Sequence, residues 1–450
     1  MRAGTARATA GILNSALAEP FDDLDRLSPD TLKRWWTRKL KRTLSLAFEE
    51  LPFYRDRFIA AGFDPARFRT LDDLREVPIC NKDDLLAFAH GGGGHQSYTA
   101  GPASPMTVSL SSGTSGTTFV MHTRRWRKLQ GYSSSRAHWW AGLRPGTPLI
   151  MSAPAWHAYA SIQPSIAMHF GNPCVVVSGT FLPRFADRII DAIRAFHPRF
   201  LTMFLPMVFS ILATAKRQGL TGAQLFAGVE TLVVTGAPIT PGMRAHLQEL
   251  TRVNRVTELA GSSENLLAVD CVRAQGLHLV PDTCYAEVID RKTGLPMPDH
   301  ERGSVVHSSI IPAGSLYLQY DGGDVGIIDR SPCPCSLPSP RIKLLGRWDD
   351  CFAIGPHTLL PYDVQLALES DVPELRGIAF VISKDGLANG TLRLLLVEPE
   401  NSPAGLLDEA TSKLARRLEV PVEIKPVNDL PLRFKGVPPI LSEQEAATAV

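Results

Sequence analysis

The sequence predicts an α/β fold: a large N-terminal α/β domain with a β-rich subdomain, followed by a small, mobile C-terminal α+β domain. Three observations predict it. Between residues 149 and 264, apolar runs of strand length alternate with amphipathic segments of helical period, the pattern of a largely parallel sheet. Between about 266 and 345 strand-like runs follow one another without helices between them. After a break in character at 349–350, helix and strand alternate again in a compact unit. The predicted boundaries are 1–348 for the core, with its β-rich part at about 266–345, and 349–450 for the small domain.

The first 100 residues are helical in character. Leu40, Leu44, Phe48, Leu51 and Tyr54 recur at three- and four-residue steps, and Trp35 and Trp36 sit among them as packing residues. A helix, a turn and a second short helix account for 53–87, and four glycines at 91–94 read as a mobile connector. Strands follow at 149–156 (LIMSAPAW), 174–179 (CVVVSG), 199–206 (RFLTMFLP) and within 228–240 (GVETLVVTGAPIT). Helices are expected at 186–196, at 208–218 and after Pro241, which suits a first helical turn. NRVTELAGSSE, 254–264, closes this series. In the β-rich part a hairpin-like turn is expected at 292–294, a strand at 303–310, and a strand ending in the glycine-rich turn DGGD at 321–324. Trp139 and Trp140 are expected in the core.

A hydrophobic content of 44% and a charged content of 20% are those of an enzyme-like globular chain with ample core. A formal net charge of +2 gives no reason to expect nucleic acid or an anionic membrane as partner. The longest apolar stretch, near 200–215, is interrupted by Pro206 and Ser210 and is too short to span a bilayer. The N-terminus lacks a sustained apolar run, and seven cysteines, an odd number, argue for a reducing cytoplasm.

Chemistry points first to residues 108–118, VSLSSGTSGTT. Gly113 and Gly116 allow tight turns that aim successive N–H groups into one concavity, and the hydroxyls add donors without bulk. That suits a polyphosphate, although the Walker A pattern and its lysine are absent. Four further polar turns are expected at the carboxyl ends of strands: TGAPI at 235–239, GSSE at 261–264, DGGD at 321–324 and GRWDD at 346–350. Open α/β sheets bind ligands at such ends.

These motifs, in this order, resemble those of the adenylate-forming superfamily, within it the phenylacetate–CoA ligase-like branch. FYRDRF, AGFDP and LDDLREVPICNKDDL resemble the branch's opening segment, SSGTSGTT its phosphate loop, TGAPI its adenine-side loop and GSSE its YGxTE-type motif. YDGGD is similar to the ribose-binding segment, GRWDD to the hinge motif, and LPLRFKG to the loop bearing the catalytic lysine. The resemblance implies the adenylate-forming enzyme fold, with ATP, Mg²⁺ and CoA as ligands. It implies that Ser111, Ser112, Gly113, Thr114, Ser115, Gly116 and Thr117 cradle the phosphates, and that Gly236, Ala237 and Pro238 flank the adenine. Gly261, Ser262 and Ser263 would lie beside the nucleotide, Ser263 on the α-phosphate, while Glu264 would ligate Mg²⁺. Asp324 would accept bonds from the ribose hydroxyls, and Arg347 would reach the ribose or phosphate side. Lys435 would stabilise charge developing during acyl-adenylate formation, Asp349 would be the hinge, and Trp156, His157 and Tyr159 would face the acid.

Cys271, His278, Cys333 and Cys335 form a Cys₃His set suited to structural, tetrahedral Zn²⁺, and similar sets occur in relatives of this branch. Cys80, Cys174, Cys284 and Cys351 read as ordinary buried thiols. Three departures stand out. Phe119 replaces the lysine that usually ends the phosphate loop, Ala260 replaces the usual aromatic before GSSE, and CFAIGPHTLLP at 351–361 lacks the glycine-rich run of the thioester step.

The expected reaction is ATP-dependent activation of a small-molecule carboxylic acid, expected to be aromatic, as acyl-AMP, then transfer to CoA. Alternatives are an adenylating enzyme of a biosynthetic pathway that passes its acyl group to a carrier protein or amine or activates another oxyanion, and a degenerate nucleotide-binding homologue. A homodimer is compatible with this reading.

Overall fold

The computed structural model describes residues 19–101, 106–110, 119–155, 157–178, 183–273, 276–399, 402–430 and 438–448. The phosphate-loop residues Ser111 to Thr117, together with Trp156 and Lys435, lie outside the described residues.

Helix α1 (Pro29–Glu50) starts where Ser28 accepts from Thr31 N–H at 3.2 Å and Pro29 takes the first turn. The helical run then breaks at Leu51, and Pro52 opens a second helix, α2 (Pro52–Ala60). Their apolar faces, with Leu40, Leu44, Tyr54 and Phe58, make one core cluster with Leu316 and Tyr317, far along the chain. The four glycines differ from the expected connector. Gly91, Gly92 and Gly93 lie in a wide turn, Ala89–Gly93, that continues the short helix Lys82–Phe88, with Gly92 at φ +104°, and Gly94 caps it.

A hairpin, β1 (Met106–Leu110) and β2 (Phe119–Thr123), leads into α3 (Arg124–Trp140). The alternating units are β3 (Leu149–Ala153), α4 (Ala158–Phe170), β4 (Cys174–Ser178), α5 (Pro183–Phe196), β5 (Phe200–Phe204), α6 (Leu205–Arg217), β6 (Thr231–Thr235), α7 (Pro241–Thr251) and β7 (Arg255–Gly261), as predicted except for α4, which the sequence pattern did not mark. Strands β3 to β7 pair in parallel, in the order β7-β6-β5-β3-β4. All five residues of β3 and of β6 are buried, because helices cover both faces of this sheet. That is why their sequences read as continuous apolar runs.

The same sheet continues antiparallel through β8 (Leu266–Asp270), β9 (Leu277–Leu279), β10 (Cys284–Ile289), β11 (Gly303–Ser309), β12 (Tyr320–Asp329) and β13 (Arg341–Arg347). Here one expectation is corrected. The DGGD stretch lies inside β12, which begins at Tyr320, and does not end a strand. The pairing with β11 shifts register between Ser304, opposite Val325, and Val306, opposite Asp321, so Gly322 and Gly323 accommodate an irregularity within a continuing ladder.

After the single turn Trp348–Asp350 comes α8 (Pro361–Asp371), then β14 (Phe380–Ser383), β15 (Leu392–Leu396), α9 (Leu406–Leu418), β16 (Val422–Pro426) and β17 (Ile440–Leu441). The four strands form their own sheet, β16-β15-β14-β17, with a separate core built on Val364, Leu368, Phe380, Leu394, Ala410 and Leu414. This unit touches the large one at Arg302–Asp363, at Thr240–Glu369 and at Arg376–Glu249, the last at 3.6 Å.

Trp140 is buried as expected, and its indole N–H donates to Asp25 at 2.8 Å. Beside it the guanidinium of Arg136, 1% exposed, pairs with Asp22, Asp25 and Asp282. Two carboxylates of the N-terminal turn and a third from the β9–β10 connection share this guanidinium and pin that turn against α3. Among the described residues no helix is long and apolar enough to cross a membrane.

Candidate active site

TGAPI and GSSE follow the ends of β6 and β7, while DGGD lies within β12 and faces the end of β13 at Arg347. Gly236, Ala237 and Pro238 connect β6 to α7. Gly236 sits at φ +92°, and a Cβ there would come within 2.6 Å of the Phe204 ring, so the turn requires glycine. Beneath it, Glu258 on β7 accepts from Ile239 N–H at 3.4 Å. Burial, with Asp270 beside it, raises the Glu258 carboxyl from 4.5 to about 8.

Gly261, Ser262, Ser263 and Glu264 form the tight connection between β7 and β8. The Ser262 hydroxyl accepts from the N–H groups of Glu264 and Asn265, at 3.2 and 3.4 Å. Ser263 Oγ donates to the carbonyl of Leu110 at 3.1 Å. Leu110 pairs with Phe119 across the hairpin, so this end of β1 and β2 lies beside Ser263.

Glu264 is 8% exposed. Burial pushes the hydroxyls of Tyr98, Tyr317 and Tyr320 well up, and the charge of Glu264 adds to this in all three. Tyr320 also feels Asp324, which opposes its ionisation, and Arg347, which favours it. The charges of Glu264, Asp324 and Arg347 thus all act on one buried hydroxyl. Asp324 and Arg347 face each other in the β12–β13 register, with Arg347 Nη1 3.7 Å from Asp324 Oδ1. Arg347 Nη2 donates to the Gly322 carbonyl at 2.6 Å, and a Cβ on Gly323 would lie 3.0 Å from it. The glycines of DGGD let this guanidinium lie on the backbone. Asp349 follows in the turn Trp348–Asp350, whose Trp348 indole donates to Ser304 at 2.6 Å.

His157 caps α4, its Nδ1 accepting from Tyr159 N–H at 3.1 Å. Burial lowers its imidazole to about 4, which keeps it neutral at pH 7. Its ring meets Phe204 edge-on at 5.5 Å. The Tyr159 hydroxyl donates to His138 Nε2 at 2.7 Å, since His138 Nδ1 is committed to the Ser134 carbonyl at 2.7 Å. A cavity opens between these residues and the GSSE turn, walled by Trp126, Gln130, Phe204 and Leu259 as well as His157 and Tyr159. The sequence reading missed Trp126, Gln130 and Phe204. Gln130 could have been found, because α3 turns a run of polar residues, Ser133, Ser134, Ser135 and Arg136, inward.

Cys271, His278, Cys333 and Cys335 converge with all four ligand atoms within 4.8 Å of one another. Cys271 and Cys333 Sγ are 4.0 Å apart and Cys335 Sγ lies 3.3 Å from His278 Nε2. Zinc–sulfur bonds of about 2.3 Å in a tetrahedron place sulfurs roughly 3.8 Å apart, so the spacing fits zinc. His278 Nδ1–H donates to the Ser339 carbonyl at 2.8 Å, which turns the Nε2 lone pair to the cluster. Of the other cysteines, Cys80 and Cys284 are buried and Cys174 and Cys351 partly so.

A family model described as AMP-binding enzyme matches residues 46–312. The phenylacetate-coenzyme A ligase of Thermus thermophilus is 28% identical over 393 residues, covering 84% of this chain and 84% of that protein. The enzyme of the same name from Pseudomonas putida is 24% identical over 417 residues, covering 88% of each. Among solved structures, 2-hydroxyisobutyryl-CoA ligase in the postadenylation state, in complex with its acyl-AMP, superposes with a TM-score of 0.84. That match spans 96% of this chain and 93% of the other at 21% identity.

Proposed function

This chain belongs to the AMP-binding enzyme family, and on that premise we propose that it activates a carboxylic acid, foremost an aromatic one, as acyl-AMP and transfers the acyl group to CoA. The observation that supports this reading is the Ser263–Leu110 bond, which holds the GSSE turn against the strand that leads into the serine–threonine segment.

In the first half-reaction a carboxylate oxygen attacks the α-phosphorus of MgATP. The bond from that phosphorus to the bridging oxygen breaks, and pyrophosphate leaves. Residues Ser111 to Thr117 hold the β- and γ-phosphates, Glu264 ligates Mg²⁺, and Ser263 lies against the α-phosphate. The ribose hydroxyls bond Asp324, with Arg347 beside them, and the adenine lies along Gly236, Ala237 and Pro238 with Gly261 and Ser262 opposite. Lys435 meets the negative charge that grows on carboxylate and phosphate, a contribution of roughly 10²–10³ in rate for one well-placed donor. In the second half-reaction the CoA thiolate attacks the acyl carbon and AMP leaves. A rotation about Asp349 separates the two steps, so that residues 349–450 act as a mobile lid on the core. His157 and Tyr159, with Trp156, wall the acid. Cys271, His278, Cys333 and Cys335 hold a structural zinc with no open coordination position. A carrier-protein thiol is the alternative acceptor, since the adenylation site is the same for either.

The test is pyrophosphate release with ATP over a panel of acids, aromatic ones first. Lys435→Ala is expected to abolish pyrophosphate exchange while sparing thioester formation from synthetic acyl-AMP. Undiminished exchange in that variant removes Lys435 from the mechanism, and no release with any acid overturns the reading as a whole.

A further inference from the structure

The cavity beside His157 and Tyr159 contains a polar group with no partner among the described residues. Gln130, on α3, is 2% exposed, lines the cavity, and has no hydrogen-bond partner for Oε1 among the described residues. Neighbouring polar groups on the wall are committed elsewhere. The Tyr159 hydroxyl donates to His138, the Asn265 amide to His307 and Ser309 at 3.1 and 3.3 Å, and Ser263 to Leu110. A buried amide oxygen left unpaired is costly, and native chains rarely keep one without a use.

We infer that the acid taken by this site carries a hydrogen-bond-donating substituent, a hydroxyl or an arylamine, on the part that enters the cavity, and that Gln130 reads it. This inference rests on the acyl-activation reading above. The rest of the wall sets the class of compound. Trp126, Phe204, Ile162 and Leu259 present apolar surface, with the Phe204 ring held edge-on to His157, which suits a flat ring. Gln130 carries no charge and His157 is neutral, so the wall offers no ion to pair with a charged substituent. A hydroxyl satisfies the amide in either orientation of its oxygen and nitrogen, and an arylamine satisfies the oxygen.

A site built to hydrogen-bond a substrate group rejects the analogue that lacks it far more strongly than an apolar pocket rejects a missing methylene. The experiment measures pyrophosphate release and, separately, calorimetric binding for the full chain. Benzoate and phenylacetate are compared with their ring-hydroxylated and ring-aminated derivatives, in the wild type and in Gln130→Leu. The wild type is expected to prefer at least one substituted acid over its parent by about 100-fold or more in kcat/KM. Gln130→Leu should reduce that preference to within about tenfold, through loss on the substituted acid alone, with the KM for ATP unchanged. Equal use of parent and substituted acids by the wild type overturns the inference without any variant, as does a preference that survives Gln130→Leu. If parent acids release pyrophosphate as well as substituted ones, the inference fails while acyl activation stands. If no acid releases pyrophosphate but substituted acids bind with a preference that Gln130→Leu erases, the inference holds and acyl activation fails.

Discussion

Glu258 carries the strongest electrostatic consequence of any single side chain near the site. It is buried beneath the TGAPI turn, next to Asp270, with Arg244 and Lys343 facing it, and its carboxyl stands at about 8 in the folded chain against 4.5 ordinarily. Below pH 4.5 the group is protonated whether the chain is folded or not. As pH rises from 4.5 to about 8, the unfolded chain releases this proton and the folded chain keeps it. Stability from this residue is therefore lost across that window and levels off above it. Glu258→Gln keeps an acceptor for Ile239 N–H and removes the titration. Thermal midpoints followed from pH 5 to 9 are expected to show the variant matching the wild type at the acid end and exceeding it at the alkaline end. Parallel curves would assign the pH dependence to other groups. The sequence offered no hint of this, since Glu258 reads as one polar residue in NRVTELAGSSE.

At the scale of elements, the Cys₃His set shows how far spacing alone can reach. Cys333-Pro-Cys335 is local, but Cys271 and His278 join it only because β8 and β9 pair and β9 lies beside β13. The sequence names the four residues, and strand pairing closes the distances. Purified protein is expected to contain a single zinc per chain, and Cys335→Ser should lower both the zinc content and the thermal midpoint. Full-strength stability in a zinc-free preparation would make the cluster a thiol-rich core instead. The β12 strand teaches the converse. DGGD reads as a turn by composition, yet β11 and β13 flank it and draw it into the ladder. Asp321 pairs with Val306 and Asp324 with Arg347, which holds both ends of the stretch in the ladder, while Gly323 N–H donates to the Asp321 side chain at 2.8 Å.

At the scale of the whole molecule, the part that follows residue 350 meets the larger part through an apolar cluster, Val325 and Leu345 with Leu360 and Tyr362, and through polar contacts. Arg302 Nη1 donates to Asp363 Oδ2 at 2.9 Å, linking the start of β11 to α8. An exposed pair of this kind contributes about 0.2–1 kcal/mol. Arg302→Ala is therefore expected to slow the half-reaction that runs in this arrangement by about 1.5- to 5-fold and leave the other unaffected. Pyrophosphate exchange and thioester formation from acyl-AMP, measured separately, decide it. Equal effects on both would mean the units do not move against each other at this contact.

By itself the sequence determined the class of fold, the alternation of strand and helix, the phosphate-binding composition at 111–118 and the identity of the polar turns. Those properties are local: period, turn chemistry and strand length are written in neighbouring residues. Only the tertiary structure decided that Ser263 bonds the Leu110 carbonyl, that Arg347 faces Asp324 across two strands, and that Gln130 lines a cavity with no partner for its amide oxygen among the described residues. Each of these depends on burial or on a partner from elsewhere in the chain. A polar side chain looks the same in a sequence whether water or an empty acceptor site surrounds it.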